Sequence, residues 1–259
     1  MFQFHADRDR YFAMQVSNAS TYVIPFIQQT KPIQPGMHVL EIGCGEAGVL
    51  KAFIQLGCTA VGIELEEGRL ANGRKHMYQD IADGKLTLIA NDIYNIKDEF
   101  IQAFDIIVLK DVIEHIHDQK KLIAWMKDLL KPDGVIFFGF PPWYMPWGGH
   151  QQVCHTKWVA TIPWLHLLPN FIYKSILQAN NEAVAELLEI KETGISIERF
   201  ESICKHTGYT IANSKHYLIN PIYQFKFGWK PRTQFWFISK IPFVRNFFTT
   251  CVYYTIQSR

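Results

Sequence analysis

An α/β fold built around a parallel sheet is predicted for this chain by three observations. Strand-length apolar runs alternate with helix-length segments across residues 38–140, the rhythm of βαβ units. One run, residues 104–109 (FDIIVL), is almost continuously apolar, as a strand covered on both faces should be. The first run leads directly into Gly43-Cys44-Gly45-Glu46-Ala47-Gly48, a strand-to-helix turn that lets a ligand approach the backbone closely.

Each element follows in order. The first 30 residues read as helix, with Tyr11, Met14, Gln15 and Tyr22 among polar positions, and Pro35-Gly36 punctuates after it. Residues 38–42 (HVLEI) are the first strand, and 47–56 are apolar at helical spacing. Residues 58–64 give strand two, 66–80 a charged helix, and 86–90 strand three, ending at Asn91-Asp92. Strand four covers 104–109. A helix at 118–130 is stopped by Lys131-Pro132-Asp133-Gly134, and 135–140 is strand five. The rhythm breaks at Pro141. Residues 141–195 hold four of the seven tryptophans (143, 147, 158 and 164), and an insertion this long between core elements predicts a substrate lid. A helix at 195–206 and two strands, about 209–219 and 232–239, close the chain.

The composition fits one globular domain over 1–259. With 48% hydrophobic and 19% charged residues, disorder is excluded as the main state. A net charge of +2 gives no case for a nucleic-acid partner. Five cysteines without a CxxC pair argue against a disulfide framework. The N-terminus, MFQFHADRDRYFAM, is too charged for a signal peptide, and no run of about 18 apolar residues marks a membrane span. A soluble, cytoplasmic protein is expected. The charge is unevenly placed, however. The first 201 residues carry −6 and the last 58 carry +8, because no Asp or Glu follows Glu201. That tail interleaves its basic residues with Phe, Tyr and Trp, which suits an anionic headgroup and predicts weak peripheral membrane association. The plainer alternative is a set of aromatic-rich strands whose lysines face water.

Three acids accompany the glycine turn. Glu41 lies inside the first strand, just before it. Glu64 ends the second strand, where a carboxylate can hydrogen-bond a ribose diol. Asp92 ends the third, where it can accept from an adenine amino group. The turn alone would equally suit a nicotinamide dinucleotide.

At these residues the chain resembles the class I S-adenosylmethionine-dependent methyltransferases. VLEIGCGEAG, VGIELEE, IANDIYNI, FDIIVLKDVIEHIHD and LLKPDGVIFF occur in the order and spacing of that family, over roughly residues 36–140. The resemblance implies a three-layer, Rossmann-like fold with a seven-stranded mixed sheet of order 3-2-1-4-5-7-6, strand seven antiparallel. It also implies S-adenosylmethionine as cofactor, S-adenosylhomocysteine as its product, and methyl transfer to a nucleophile. Carried over residue by residue, Glu41, Gly43 and Gly45 would hold the methionine part, within the turn that includes Cys44 and Gly48. Glu64 would take the ribose hydroxyls, Leu65 would pack near the adenine, and Asp92 with Ile93 would read its edge. Lys110, ending strand four, would contact the cofactor chiefly through backbone. In relatives an N-terminal segment folds over the cofactor. This makes 1–30 a helical lid, with Tyr11 and Gln15 as contacts and Arg8 or Arg10 pairing the cofactor carboxylate.

Methyl transfer from a sulfonium is an in-line displacement in which the protein positions the acceptor and removes one proton. His150, which follows Gly148-Gly149 just after strand five, is the expected base. His115 and His155 come next, and Tyr144 could orient an acceptor. Asp111, Glu114 and His115 in DVIEH would share a helical face and resemble the metal ligands of the ubiquinone-biosynthesis O-methyltransferases. The favoured reading has no metal, only a capping acid and a histidine directed to the substrate. Trp143, Tyr144 and Trp147 could attract the sulfonium or stack on an acceptor, or simply pack the lid. The expected activity is methylation of a small-molecule substrate, at a hydroxyl of a sugar, quinone-like or lipid-linked acceptor. A protein or RNA methyltransferase is the alternative among enzymes. Lys110-Asp111-Val112-Ile113 stands where an Asn-Pro-Pro-Tyr type of motif would serve DNA bases or glutamine. Outside enzymes, the alternative is a cofactor-binding module without catalysis.

Overall fold

The computed structural model describes residues 7–96 and 99–259. Among them are eight strands: β1 (His38–Ile42), β2 (Thr59–Glu64), β3 (Leu86–Ala90), β4 (Phe104–Lys110), β5 (Leu130–Phe140), β6 (Tyr209–Ile219), β7 (Arg232–Thr233) and β8 (Cys251–Ser258). They form one sheet in the order β3-β2-β1-β4-β5-β8-β6-β7. The first five run parallel, and β8 lies antiparallel between β5 and β6. The expected order is therefore present, with β8 as the antiparallel strand. The eighth strand is β7, two residues that extend the far edge beside β6.

Alternate side chains of a strand point to opposite faces, and here each face feeds its own core. Leu40 and Ile42 of β1, Ile107 and Leu109 of β4, and Phe138 and Phe140 of β5 enter one core with the helices Gln119–Trp125 and Ile197–His206. Val39, Ile106, Val108, Val135 and Phe137 enter the other, beneath the helix Gly48–Ile54 and the N-terminal helix. Aromatic rings fill both interfaces. Phe26, Phe137 and Tyr253 meet edge to face at 5.0–6.0 Å, and Phe200 packs on Phe138, Phe140 and Tyr254 at 4.8–5.0 Å. Such pairs add about 0.5–1.5 kcal/mol each beyond their burial.

Several boundaries differ from the sequence expectation. Strand five begins at Leu130 rather than 135, because Lys131-Pro132-Asp133-Gly134 bulges from it: pairing steps from Phe104↔Leu130 to Ile106↔Val135. Lys31 holds that bulge, pairing with the Asp133 carboxylate at 2.7 Å. The charged helix breaks at Met77 into Glu67–His76 and Tyr78–Ala82. The largest correction concerns the tail. Of residues 232–239 only Arg232–Thr233 pair as a strand, β7; the single-turn helices Trp236–Ser239 and Val244–Phe247 follow, and the central antiparallel strand is β8. Covered on both faces, β8 needs no polar-apolar alternation and so lacks the usual half-buried signature. The N-terminal helix runs through Arg8–Asn18, a π-helical turn at Ala19–Val23 and Ile24–Ile27. Residues 1–6 of the expected lid lie outside the described residues.

Residues 141–195 fold as a helical cap with its own small core, including Val159, Leu165, Tyr173 and Leu177. The Thr193 hydroxyl ties it to the turn after β4 by donating to the Glu114 carbonyl at 2.6 Å. Trp143 fills the space beside Gly194, where a Cβ would stand 2.4 Å from the indole. It also meets the buried His166 ring at 4.6 Å, while His166 Nε2 donates to the Trp143 carbonyl at 2.8 Å. Burial pushes the His166 imidazole down to about 4. In the unfolded chain it takes a proton below about 6.5, so between these values the unfolded state binds more protons and stability falls with falling pH. We predict that the stability advantage of wild type over His166→Gln, measured by urea unfolding, is greatest near neutrality. It shrinks by about 1 kcal/mol per pH unit below about 6.5. An advantage that stays constant down to pH 5 would contradict this.

Candidate active site

The sheet order reverses at β1 and β4, and in doubly wound sheets ligands bind in the crevice at the carboxyl ends beside such a reversal. The glycine turn opens there. Gly43 and Gly45 have φ of +69° and +56°, and Ala47 shares the left-handed conformation at +63°. At Gly43 space decides as well, since a Cβ would stand 2.5 Å from Val112 Cγ2. Around Gly45 nothing lies within 4 Å of that position, which leaves bare backbone for a ligand. Glu64 clamps the turn: its Oε2 accepts from the Gly45 N–H at 3.0 Å, and its Oε1 from Leu65 and Glu66 at 2.8 and 3.1 Å. The Cys44 thiol turns inward against Gly62, where a Cβ would meet its Sγ at 2.7 Å. Cys44 therefore offers the crevice backbone only.

The N-terminal helix crosses the turn at contact distance. A Cβ on Gly48 would stand 2.7 Å from the Gln15 Cβ and 3.0 Å from the Phe12 carbonyl. Burial raises the pKa of the Tyr11 hydroxyl against the pull of Lys110. Arg8 is engaged by Glu46 at 3.3 Å, and Arg10 is exposed. On the other flank Leu65 is 74% exposed at the end of β2. Asp92 accepts from the Tyr94 N–H at 2.9 Å, with Ile93 buried beside it at the end of β3.

Beyond β4 stands the charged centre. Lys110 and Asp111 form an ion pair, and the Asp111 N–H donates to the Gly139 carbonyl at 2.7 Å. Asp111 and His150 both have φ of +57°, a conformation that non-glycine residues keep only where the surroundings impose it. DVIEH contains a single 3-10 turn, Ile113–His115, rather than a regular helix. The expected Asp111–Glu114–His115 face is thus replaced by another grouping. Glu114, His115 and His150 bring one donor atom each within 4.8 Å of one another, and the two imidazole centres lie 4.9 Å apart.

Burial sets the protonation states, corrected by one ion pair. Desolvation alone would raise Asp111, but Lys110, helped by Lys226 and His150, outweighs it and keeps the carboxyl below its ordinary value. Burial raises Glu41 well above the carboxylate range against the pull of Lys110, and raises Glu114 with Asp111 adding to the effect. Burial, then His115, lowers His150 to about 4. Burial lowers His115 also. Burial thus shifts both imidazoles and both carboxyls toward their neutral forms, while Lys110 and Asp111 keep their charges as an ion pair.

Sequence reasoning missed Lys226. It sits on the helix Ile222–Phe227, with its ammonium 6.0 Å from the Tyr11 ring centre, and burial lowers it to about 8. More than a hundred residues separate it from Asp111, so no local spacing announces it. Tyr144 packs on Phe247 at 5.4 Å. His155 is exposed, and its backbone N–H is held by Glu182 at 3.0 Å.

A doubly wound sheet with a glycine turn and acids at successive strand ends defines a nucleotide-type cofactor fold. The chain belongs to the methyltransferase domain family, whose model matches residues 15–167, more than half of it. It is 33% identical over 117 residues to the ubiquinone biosynthesis O-methyltransferase of Actinobacillus pleuropneumoniae, covering 44% of this chain and 50% of that protein. The chain thus spans about half the length of the curated relatives it matches. Among solved structures it is similar to a putative sarcosine dimethylglycine methyltransferase from Galdieria sulphuraria (TM-score 0.60, 12% identity, 92% of this chain and 84% of that one). It is also similar to geranyl diphosphate C-methyltransferase from Streptomyces coelicolor A3(2) (TM-score 0.56, 12% identity, 90% and 77%), solved with Mg2+, geranyl diphosphate and S-adenosylhomocysteine. These structural likenesses bear on the fold.

The turn geometry separates its two glycines. Gly43→Ala meets both a left-handed backbone and the Val112 side chain, and should cost roughly 2–4 kcal/mol in urea unfolding. Gly45→Ala meets the backbone penalty alone and should cost about 1 kcal/mol. Equal costs would show that Val112 yields without strain.

Proposed function

We propose that this chain transfers a methyl group from S-adenosylmethionine to a hydroxyl of a small molecule, with His150 taking the proton. The observation that carries this reading is the meeting of His115 and His150, whose imidazole centres lie 4.9 Å apart after β4 in a setting where burial lowers both pKa values. The residues present suit the cofactor. Glu41 Oε2 is buried with no hydrogen-bond partner, and a cationic amino-acid head beside Gly45 would favour its charged form. Glu64 would take the ribose hydroxyls, and Leu65, Asp92 and Ile93 would flank the adenine. Tyr11 and Gln15 would cover the ligand from the N-terminal helix, and residues 141–195 would serve as the lid that excludes water. When bound, S-adenosylmethionine supplies an activated methyl group on a sulfonium.

The hydroxyl acceptor must lose its proton as the new bond forms. A neutral His150 can accept it at a ring nitrogen, and the Asp111 carboxylate favours the resulting imidazolium. The named activity of the A. pleuropneumoniae relative supports a quinone-like hydroxyl as acceptor. A sugar or lipid-linked hydroxyl fits the same chemistry. A divalent ion held by Glu114, His115 and His150 is the second reading, favoured by the two Glu114 carboxyl oxygens, both buried without a hydrogen-bond partner.

The acceptor is found by incubating cell-extract metabolites with protein and cofactor, then searching by mass spectrometry for species that gain about 14 Da. With that acceptor, His150→Ala should lose about 10²–10⁴ in turnover while binding S-adenosylhomocysteine as wild type does. Unchanged turnover would move the proton to His115. Activity lost to a chelator and restored by magnesium would favour the second reading. Glu64→Ala should weaken S-adenosylhomocysteine binding by roughly 2–4 kcal/mol in calorimetry, and wild-type affinity would remove the ribose assignment.

A further inference from the structure

We infer that residues 227–248 form an apolar wedge that docks this protein on the surface of an anionic lipid bilayer. The inference does not depend on the proposed reaction. Trp229, Phe235, Trp236, Phe237, Ile241 and Phe243 are each between 46% and 72% exposed, and three more large apolar side chains of the same segment join them. Folded monomers rarely concentrate so much apolar surface in one short stretch without a use for it. The rest of the aromatic tail behaves differently, since Tyr253 and Tyr254 are fully buried in the cores on either side of β8. The structure therefore divides the tail into strands that build the sheet and a segment that leaves most of its aromatic rings exposed.

The backbone holds that arrangement in place. Phe243 has φ of +64°, a costly conformation for a bulky residue, and its N–H is tied to Glu198 Oε1 at 2.9 Å. The result is a ring 67% exposed, which is not what strain in the service of core packing would produce. Arg245 fixes the base of the segment to the helix Ile197–His206 through Glu198 at 2.8 Å and Glu201 at 2.6 Å. Those two acids are thereby engaged, and no acid follows them in the sequence. Lys230, Arg232 and Lys240 are exposed within the same segment, and the Lys240 ammonium lies 5.3 Å from the Trp236 ring centre. Aromatic side chains rimmed by lysine and arginine match the interfacial layer of a bilayer carrying negative headgroups. No helix among the described residues is long and apolar enough to cross a membrane, so the segment would lie on the bilayer rather than span it.

The segment also adjoins the crevice. Phe227 follows Lys226, which faces Tyr11, and Phe247 packs on Tyr144 of the cap. Docking through 227–248 would bring the site near the headgroup layer.

Vesicle flotation of the full chain tests the inference, using phosphatidylcholine alone and with about 30 mol% phosphatidylglycerol. Wild type should float with the anionic vesicles. Trp236→Ser combined with Phe243→Ser should reduce binding at least tenfold, with an unchanged urea midpoint as the control for folding. Lys230→Ala combined with Lys240→Ala should weaken binding to the anionic vesicles roughly 25-fold, about fivefold per charge, and leave binding to phosphatidylcholine unchanged. Wild type remaining with the soluble fraction at low salt would overturn the inference, as would undiminished flotation of the folded aromatic variant. Light scattering that shows a lipid-free dimer, dissociated by the aromatic substitutions and not by vesicles, would assign the patch to a second copy instead.

Discussion

The carboxyl edge of the sheet depends on how closely three pieces of backbone approach one another at the turn after β1. Val112 lies where a Cβ on Gly43 would be, Gln15 and Phe12 lie where one on Gly48 would be, and the Glu46 carbonyl stands 3.1 Å from a Cβ placed on Gly73. Interiors packed this tightly do not adjust continuously. The contact at Gly43 packs Val112 against the turn where the chain leaves β4, next to the left-handed Asp111. The contact at Gly48 fixes the N-terminal helix over the crevice, and with it Tyr11 and Gln15. One steric condition thus positions the floor, the wall and the roof of the site.

Electrostatics follow from the same enclosure. Taking ionisable groups out of water favours their neutral forms, and Glu41, Glu114, His115 and His150 all shift in that direction. The Lys110–Asp111 pair resists because each partner stabilises the other's charge. For the proposed reaction this is a suitable background. Imidazoles held toward their neutral form can take a proton.

Two segments are added to the bare sheet, and they do different work. The cap at 141–195 has its own core and is stitched to the site by Thr193 and Gln119. Several of its aromatic residues pack structure: Trp143 sits on His166, and the Trp147 indole donates to the Thr161 carbonyl at 3.3 Å. The segment at 227–248 leaves most of its rings exposed. The cap exposes Phe171 as well, at 72%, so residue type alone does not decide burial.

The alternation of strands and helices, the glycine turn and the acids at the ends of β1, β2 and β3 were legible in the sequence, because each is a local pattern whose period or spacing is set by backbone geometry. The strand order and the antiparallel strand could be expected only through family resemblance, and that strand lies later in the tail than its residue pattern indicates. β8 is buried on both faces and so carries no alternation to read. At the site, His115 and His150 could each be singled out, but their pairing with Glu114 could not, and Asp111 was the expected third member. Lys226 reaches the crevice from far along the chain. The shifted protonation states are also tertiary properties, since desolvation depends on what covers a group rather than on its neighbours in sequence. Local geometry is written in short-range residue order; burial and the meeting of distant side chains exist only once the chain has closed on itself.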